Sequence, residues 1–148
     1  MLAAGAIERE GLKPATLSND VKKAINARYP AIGVANPINM TAGAGAEHYE
    51  FILEKVLADP NVDGAIVINM IRSCPLKPED VEVVAKVAKK SKEKPVVDVV
   101  VGGGDHALVR EVLKDREIPT YDLPEKAARA LRALYRYWQV HENVGEKR

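Results

Sequence analysis

Two short runs limit the folds open to this chain. Ala65-Ile66-Val67-Ile68 and Val96-Val97-Asp98-Val99-Val100-Val101 are apolar at nearly every consecutive position, and Asp98 is the one break. A strand with one wet face alternates, whereas a strand without a polar face is covered on both sides. Each run follows a segment of helical period. Tyr49, Ile52, Leu53, Val56 and Leu57 place an apolar stripe on 46–58, which Asp59-Pro60-Asn61 stops. Val81, Val84, Ala85 and Ala88 do the same for 79–90. Pro78 suits the N1 position there, and Glu79 and Asp80 suit the helix dipole. Helices alternating with two-sided strands predict an α/β fold. The expected form is a flavodoxin-like, three-layer parallel sheet with helices on both faces.

The flanking chain extends the pattern. Residues 2–10 read as a helix with Leu2, Ala3, Ala6 and Ile7 on one face and Gly11 as its stop. Leu12–Ala15 and Ile32–Ala35 read as weak strands, the first weakened by Pro14. Between them Ser18, Asn19 and Asp20 offer N-caps to a helix ending before Pro30, with Val21, Ala24 and Ile25 inward. Gly102-Gly103-Gly104-Asp105 turns into a helix with Leu108, Val109, Val112 and Leu113 inward. A third strand is predicted at Ile118–Tyr121. Pro124 then opens a last helix on which Ala127, Leu131, Leu134 and Trp138 share a face. Residues 1–140 form one expected domain, and His141–Arg148 a frayed polar tail. Such sheets ordinarily begin with a central strand, and this chain begins with a helix. The weak early strands fill that place, or the chain is a fragment.

Composition narrows the function. Twenty-two Lys and Arg against 21 Asp and Glu leave no large positive field for nucleic acid. No run of about 18 apolar residues is present, so no membrane span is expected. Glu8 and Arg9 interrupt the first apolar stretch, which also lacks the basic leader of a signal peptide. Cys74 is the single cysteine, so no internal disulfide forms, and a cytoplasmic setting is expected. No histidines share metal-ligand spacing, and no metal site is predicted.

Four segments, AAGAIEREGL, NPINMTAGAGAEHYEFILEKVLADPNVDGAIVI, KPVVDVVVGGG and IPTYDLPEKAARALRALYRYW, occur in this order. Together they resemble the CoA-ligase domain of NDP-forming acyl-CoA synthetases, a group that includes the ADP-forming acetate–CoA ligases and the succinyl-CoA synthetases. The resemblance runs from about Leu2 to Trp138. It implies a share in a multidomain reaction, acyl-CoA + ADP + phosphate to acid + CoA + ATP, reversibly. It implies partners too: a CoA-binding domain, a histidine-bearing domain and an ATP-grasp, with oligomer formation open. CoA, ADP or ATP and Mg are implied for the complete enzyme, and none for this chain alone. In that family a phosphohistidine is cradled between helix N-termini of two domains, which suits unpaired N–H groups. It belongs to a neighbouring domain, so His48, His106 and His141 are not assigned that role. The family's domain starts with a strand and a glycine-rich turn before the helix matched at 2–10, and neither is present here. Its Asn-Pro-x-Asp is Asn36-Pro37-Ile38-Asn39 here, an amide for a carboxylate.

Three loops are candidate sites, and no catalytic residue is expected among them. Asn36, Pro37, Asn39, Thr41 and Gly43 line the phosphohistidine or acyl-phosphate site, or they form a plain turn. Ile71, Arg72 and Ser73 follow a buried strand, where ligands gather in open α/β sheets; Arg72 pairs with a carboxylate or phosphate, or lies free on the surface. Gly102, Gly103 and Gly104 form an anion nest, or a tight turn capped by Asp105. Two other readings of the chain stay open: a non-catalytic partner-binding module, and an anion or nucleotide sensor on the same fold.

Overall fold

A computed structural model describes residues 2–71, 75–91, 93–101 and 106–145. The elements are α1 (Leu2–Arg9), α2 (Asn19–Arg28), α3 (Ala46–Ala58), β1 (Ala65–Asn69), α4 (Glu82–Lys90), β2 (Val96–Val100), α5 (His106–Lys114), β3 (Thr120–Tyr121) and α6 (Pro124–Gly145). A single 3-10 turn, Pro78–Val81, leads into α4. The strands lie in the order β1-β2-β3, all parallel. Ala65 stands beside Val96 and Asn69 beside Val100. At the entry to β1 the two strand-leading segments touch: a Cβ on Gly64 would meet the Pro95 carbonyl oxygen at 3.0 Å, so only glycine fits without a shift.

The alternation of side chains along a strand divides the core. One face of the sheet, with Val67, Val96 and Val100, packs with Leu53 and Leu57 of α3, Val84 and Ala85 of α4 and Val109 and Leu113 of α5. The other face, with Val97 and Val99, packs on Ala127 and Leu131 of α6. The end of α1 is pinned to the start of α6 by Arg9–Glu125 and Glu10–Arg129 ion pairs. A satellite cluster of Leu17, Val21, Ile25, Ile32, Ile52 and Val62 fastens α2 to the back of α3. The α/β class, the parallel sheet and the helices on both faces are as the sequence predicts. The buried stripes of α3 and α4 match too.

Several expectations fail for definite reasons. Leu12–Ala15 forms no strand; the Ala15 carbonyl, and that of Thr16 just after it, accept from the side chains of Asn36 and Asn61. Ile32–Ala35 forms only a single antiparallel bridge, Gly33 to Asn39. Among the described residues no ladder strand therefore precedes β1. Strand β3 is two residues long, since Ile118 turns inward to the core before it begins. Leu108 is 49% exposed, because Val109 and Leu113 already fill the inner stripe of α5. Residues 141–145 are helical and continue α6. On that helix Leu134 and Trp138 extend the stripe begun by Ala127 and Leu131 but stand exposed, Trp138 by 55%. Lys86 and Lys90 are not merely solvated: they reach Glu50 and Glu54 of α3 at 2.5 and 2.6 Å.

Candidate functional site

The site is built around the path from α2 to α3, which ends beside the carboxyl end of β1. Tyr29 caps α2 and stacks on His48, with ring centres 4.3 Å apart, and meets Phe51 edge-on. Those contacts fix where the connecting loop starts and finishes. Within it, Gly33 and Asn39 exchange two backbone hydrogen bonds, of 3.0 and 3.3 Å, around a cis Asn36–Pro37 peptide. Asn36 Nδ2 donates to the Ala15 carbonyl at 2.9 Å, tying the loop to the segment before α2. The Thr41 N–H donates to Asn39 Oδ1 at 3.1 Å, and Thr41 itself adopts a left-handed φ of 63°. That conformation is uncommon for a β-branched residue and needs surrounding support. The support comes from below, where Met40 and Ala44 pack into the core.

Gly45 is the N-cap of α3, and its N–H donates to His48 Nδ1 at 3.2 Å. His48 is therefore a half-buried capping residue. The first N–H groups of a helix have no intrahelical acceptor, so the start of α3 presents donors beside the loop. No side chain from Asn36 to Ala46 is ionisable. The loop can offer amide, hydroxyl and backbone donors and a close surface. It cannot move a proton by itself.

Asn36, Pro37, Asn39, Thr41 and Gly43 are all exposed along this loop. A Cβ on Gly43 would meet nothing within 4 Å, so no close contact there demands glycine. Ile71 is 3% exposed and belongs to the same core cluster as Ala44, Tyr49 and Leu76. The end of the first loop and the beginning of the second are thus both anchored in the same core cluster. Arg72 and Ser73 lie outside the described residues, as do Gly102, Gly103, Gly104 and Asp105.

Three features carry more than their sequence readings. Tyr49, read as part of an apolar stripe, also donates its hydroxyl to the Ile68 carbonyl at 3.2 Å. Its phenol on a helix stripe was the available signal, since a buried Tyr hydroxyl seeks a partner. Asp59, read as a helix stop, is buried; its Oδ2 accepts from the Ser18 N–H at 2.7 Å and its Oδ1 from the Asn61 N–H at 3.0 Å. Burial works to raise the Asp59 pKa, but the N–H groups of Asn61 and Ser18 outweigh it and hold the carboxyl below its usual value. Asp98, the one break in its apolar run, is fully buried beside Asn69, and burial pushes its pKa up to about 8. Among the described residues no group of three His, Cys, Asp or Glu side chains could hold a metal ion. Nor is any helix among them long and apolar enough to cross a membrane.

Comparison with known proteins places this arrangement. The Ligase-CoA domain family matches residues 1–145. The alpha subunit of the ADP-forming acetate–CoA ligase II of Pyrococcus furiosus is 33% identical over 149 residues, covering 98% of this chain and 32% of that protein. The ADP-forming 4-hydroxybutyrate–CoA ligase of Nitrosopumilus maritimus is 27% identical, over 93% of this chain and 20% of that protein. A crystal structure from Pyrococcus horikoshii superposes with a TM-score of 0.82 at 32% identity, over 90% of this chain and 32% of the other. The apo dinucleotide-forming acetyl-coenzyme A synthetase 1 of Ca. Korarchaeum cryptofilum gives 0.83 at 25% identity, over 99% and 32%. The chain spans about a third of the length of its first relatives, 32% and 30% of the two Pyrococcus furiosus alpha subunits. With its sequence matched from end to end of the described fold, the chain belongs to the Ligase-CoA domain family.

Proposed function

We propose that the chain serves as the Ligase-CoA domain of an ADP-forming acyl-CoA synthetase and forms one wall of its phosphohistidine or acyl-phosphate site. The reaction is acyl-CoA + ADP + phosphate to acid + CoA + ATP, reversibly. The observation that carries the reading is the family match over residues 1–145, joined to an uncharged, donor-rich loop beside the start of α3. Such a wall contributes by position and by fixed dipoles aimed at developing negative charge. Asn39, Thr41 and the first N–H groups of α3 are the donors, and Asn36 and Pro37 set the loop's path. Arg72 and Ser73 are assigned the binding of a carboxylate or phosphate, and Gly102, Gly103 and Gly104 that of an anion, on the chemistry of their residue types alone. Proton transfer and the phosphorylated histidine fall to a partner domain, and CoA, nucleotide and Mg bind with the CoA-binding and ATP-grasp partners. The assembly works in the cytoplasm.

The exposed face of α6, with Leu134, Tyr137, Trp138 and Val140, suits docking to those partners. The same face favours a second reading, a partner-binding module without a catalytic share. Reconstitution separates the two. Candidate partner subunits are assayed for acyl-CoA synthesis and for phosphohistidine discharge, with and without this chain. The proposal expects turnover only when the chain is present, and a loss of about tenfold or more in kcat for Asn39→Ala, on the scale of a removed transition-state donor. Binding without any effect on turnover would favour the module.

A further inference from the structure

The buried polar pair between β1 and β2 has two atoms left over. Asn69 closes β1 and Asp98 lies in the middle of β2, and both are 0% exposed. Their side chains lie on the sheet face that carries Val67, Val96 and Val100. Asn69 Nδ2 donates to Asp98 Oδ1 at 2.5 Å. The remaining oxygens, Asn69 Oδ1 and Asp98 Oδ2, are buried too, and neither meets a donor among the described residues.

An ionised carboxylate is acceptor-only, so in that form the pair would hold two unpaired acceptors among valines. A buried charge without a partner is among the costliest arrangements in a protein. Among the described residues no charged neighbour offsets it, and burial is what raises the Asp98 pKa. The elements around the pair supply none. From α4 Glu82 and Lys86 are exposed, and from α5 Arg110, Glu111 and Lys114 are exposed. His106, at the start of α5, is half-buried with Nε2 unpartnered, and Thr120 of β3 turns its hydroxyl to the Ile118 carbonyl. From α3, Glu50 and Glu54 are turned toward Lys86 and Lys90.

One proton removes both defects. Placed on Asp98 Oδ2, it turns an acceptor into a donor while Asn69 Oδ1 stands without one. A carboxylic acid and a carboxamide are complementary across two parallel hydrogen bonds. We infer that Asp98 is a neutral carboxylic acid in the folded protein, and that its proton joins Oδ2 to Asn69 Oδ1, closing an acid–amide ring that clamps β1 to β2. The Asn69 carbonyl also accepts from the Val101 N–H at 2.9 Å, so the ring and this bond together root the exit of β1 toward Met70 and Ile71.

The clamp is a pH-sensitive device. In the unfolded chain Asp98 ionises near its ordinary pKa of about 4. In the folded chain it keeps its proton to about 8. Folding therefore takes up a proton between those values. The Asp98 contribution is full below the lower value, falls as pH rises through the window and levels off above the upper one. The slope is about tenfold in the folding equilibrium constant per pH unit.

The test uses the full chain with its aspartates labelled at the side-chain carbonyl carbon. Asp98 is assigned by the resonance missing from Asp98→Asn. The expected result is an acid-form resonance through neutral pH that titrates near 8. Asp98→Asn keeps two bonds as an amide–amide ring and is expected to lose the slope between about pH 5 and 8. A carboxylate resonance at pH 6, whether the ion is held by water or by a cation, overturns the inference. So does an unchanged slope in Asp98→Asn. If that variant does not fold, each remaining aspartate is substituted in turn to assign the wild-type spectrum, which then decides alone.

Discussion

Replacing Asp59 by alanine is expected to cost about 3 kcal/mol of stability. The figure follows from two bonds and one orphan. The carboxylate accepts from the Ser18 and Asn61 N–H groups, at 2.7 and 3.0 Å. A hydrogen bond to a charged group contributes about 1.5–3 kcal/mol, less where water competes. Alanine removes both bonds and leaves the half-buried Ser18 N–H without its acceptor at the entrance to α2. The bond from Lys94 Nζ is to the Asp59 carbonyl, at 2.7 Å, and survives the substitution. For a chain of this length about 3 kcal/mol lowers Tm by roughly 6–12 °C. Asparagine retains one acceptor and is expected to lose about half as much.

The pH dependence supplies a second arm. The folded Asp59 carboxyl lies below its ordinary pKa. Its contribution is therefore present above the unfolded value of about 4 and lost as pH falls through the folded one. The gap between wild type and Asp59→Asn should close in acid. Urea denaturation followed by circular dichroism, at pH 7 and near pH 3, reads both effects. An alanine variant within about 0.5 kcal/mol of wild type would refute the reasoning. So would a gap that is unchanged in acid.

Three further substitutions probe packing and backbone. Leu113→Ala empties a fully buried position between α5 and the sheet and should cost about 3 kcal/mol, measured by the same denaturation. At Thr41, whose φ is 63°, glycine relieves about 1 kcal/mol of strain against a similar unfolded-state entropy and should leave stability within about 1 kcal/mol. Thr41→Pro cannot hold that φ and loses the N–H bonded to Asn39 Oδ1, so a loss of about 3 kcal/mol is expected in thermal melts.

The repeating part of the fold was legible because each of its elements carries its own pattern. The stripes on α3 and α4 and the unbroken runs of β1 and β2 mark both the elements and their burial. The parts that escaped depend on partners. Leu12–Ala15 is extended-looking in composition, but a strand exists only where another segment's backbone pairs with it, and here the Asn36 and Asn61 side chains donate instead to the carbonyls of Ala15 and of Thr16 just after it. Ile32–Ala35 is diverted in the same way into a bridge around Asn36–Pro37. Asp98 marks a limit of another kind. A polar residue in an apolar run reads as exposed until its pairing with Asn69 is seen. At the candidate site the loop itself was legible from its small residues. What holds it was not: Met40 and Ala44 underneath, and His48 turned back on the Gly45 N–H.

The sequential order β1-β2-β3 has a consequence for how the chain acquires its shape. Each strand pairs with the next one made, across a single helix, so the sheet assembles from near neighbours and needs no distant segment to nucleate. Parallel pairing is slow because a crossover must close before its contacts form, and pairing each strand with the next keeps that crossover as short as a parallel sheet allows. The span from β1 to β3 can then gather as one cooperative unit, on which α2 and its loop dock through a separate, smaller cluster. Amide protons in β2 should exchange only on global unfolding, while those of residues 33–45 exchange through lesser openings. The segment that carries the candidate site is thus fastened to a frame whose formation does not depend on it.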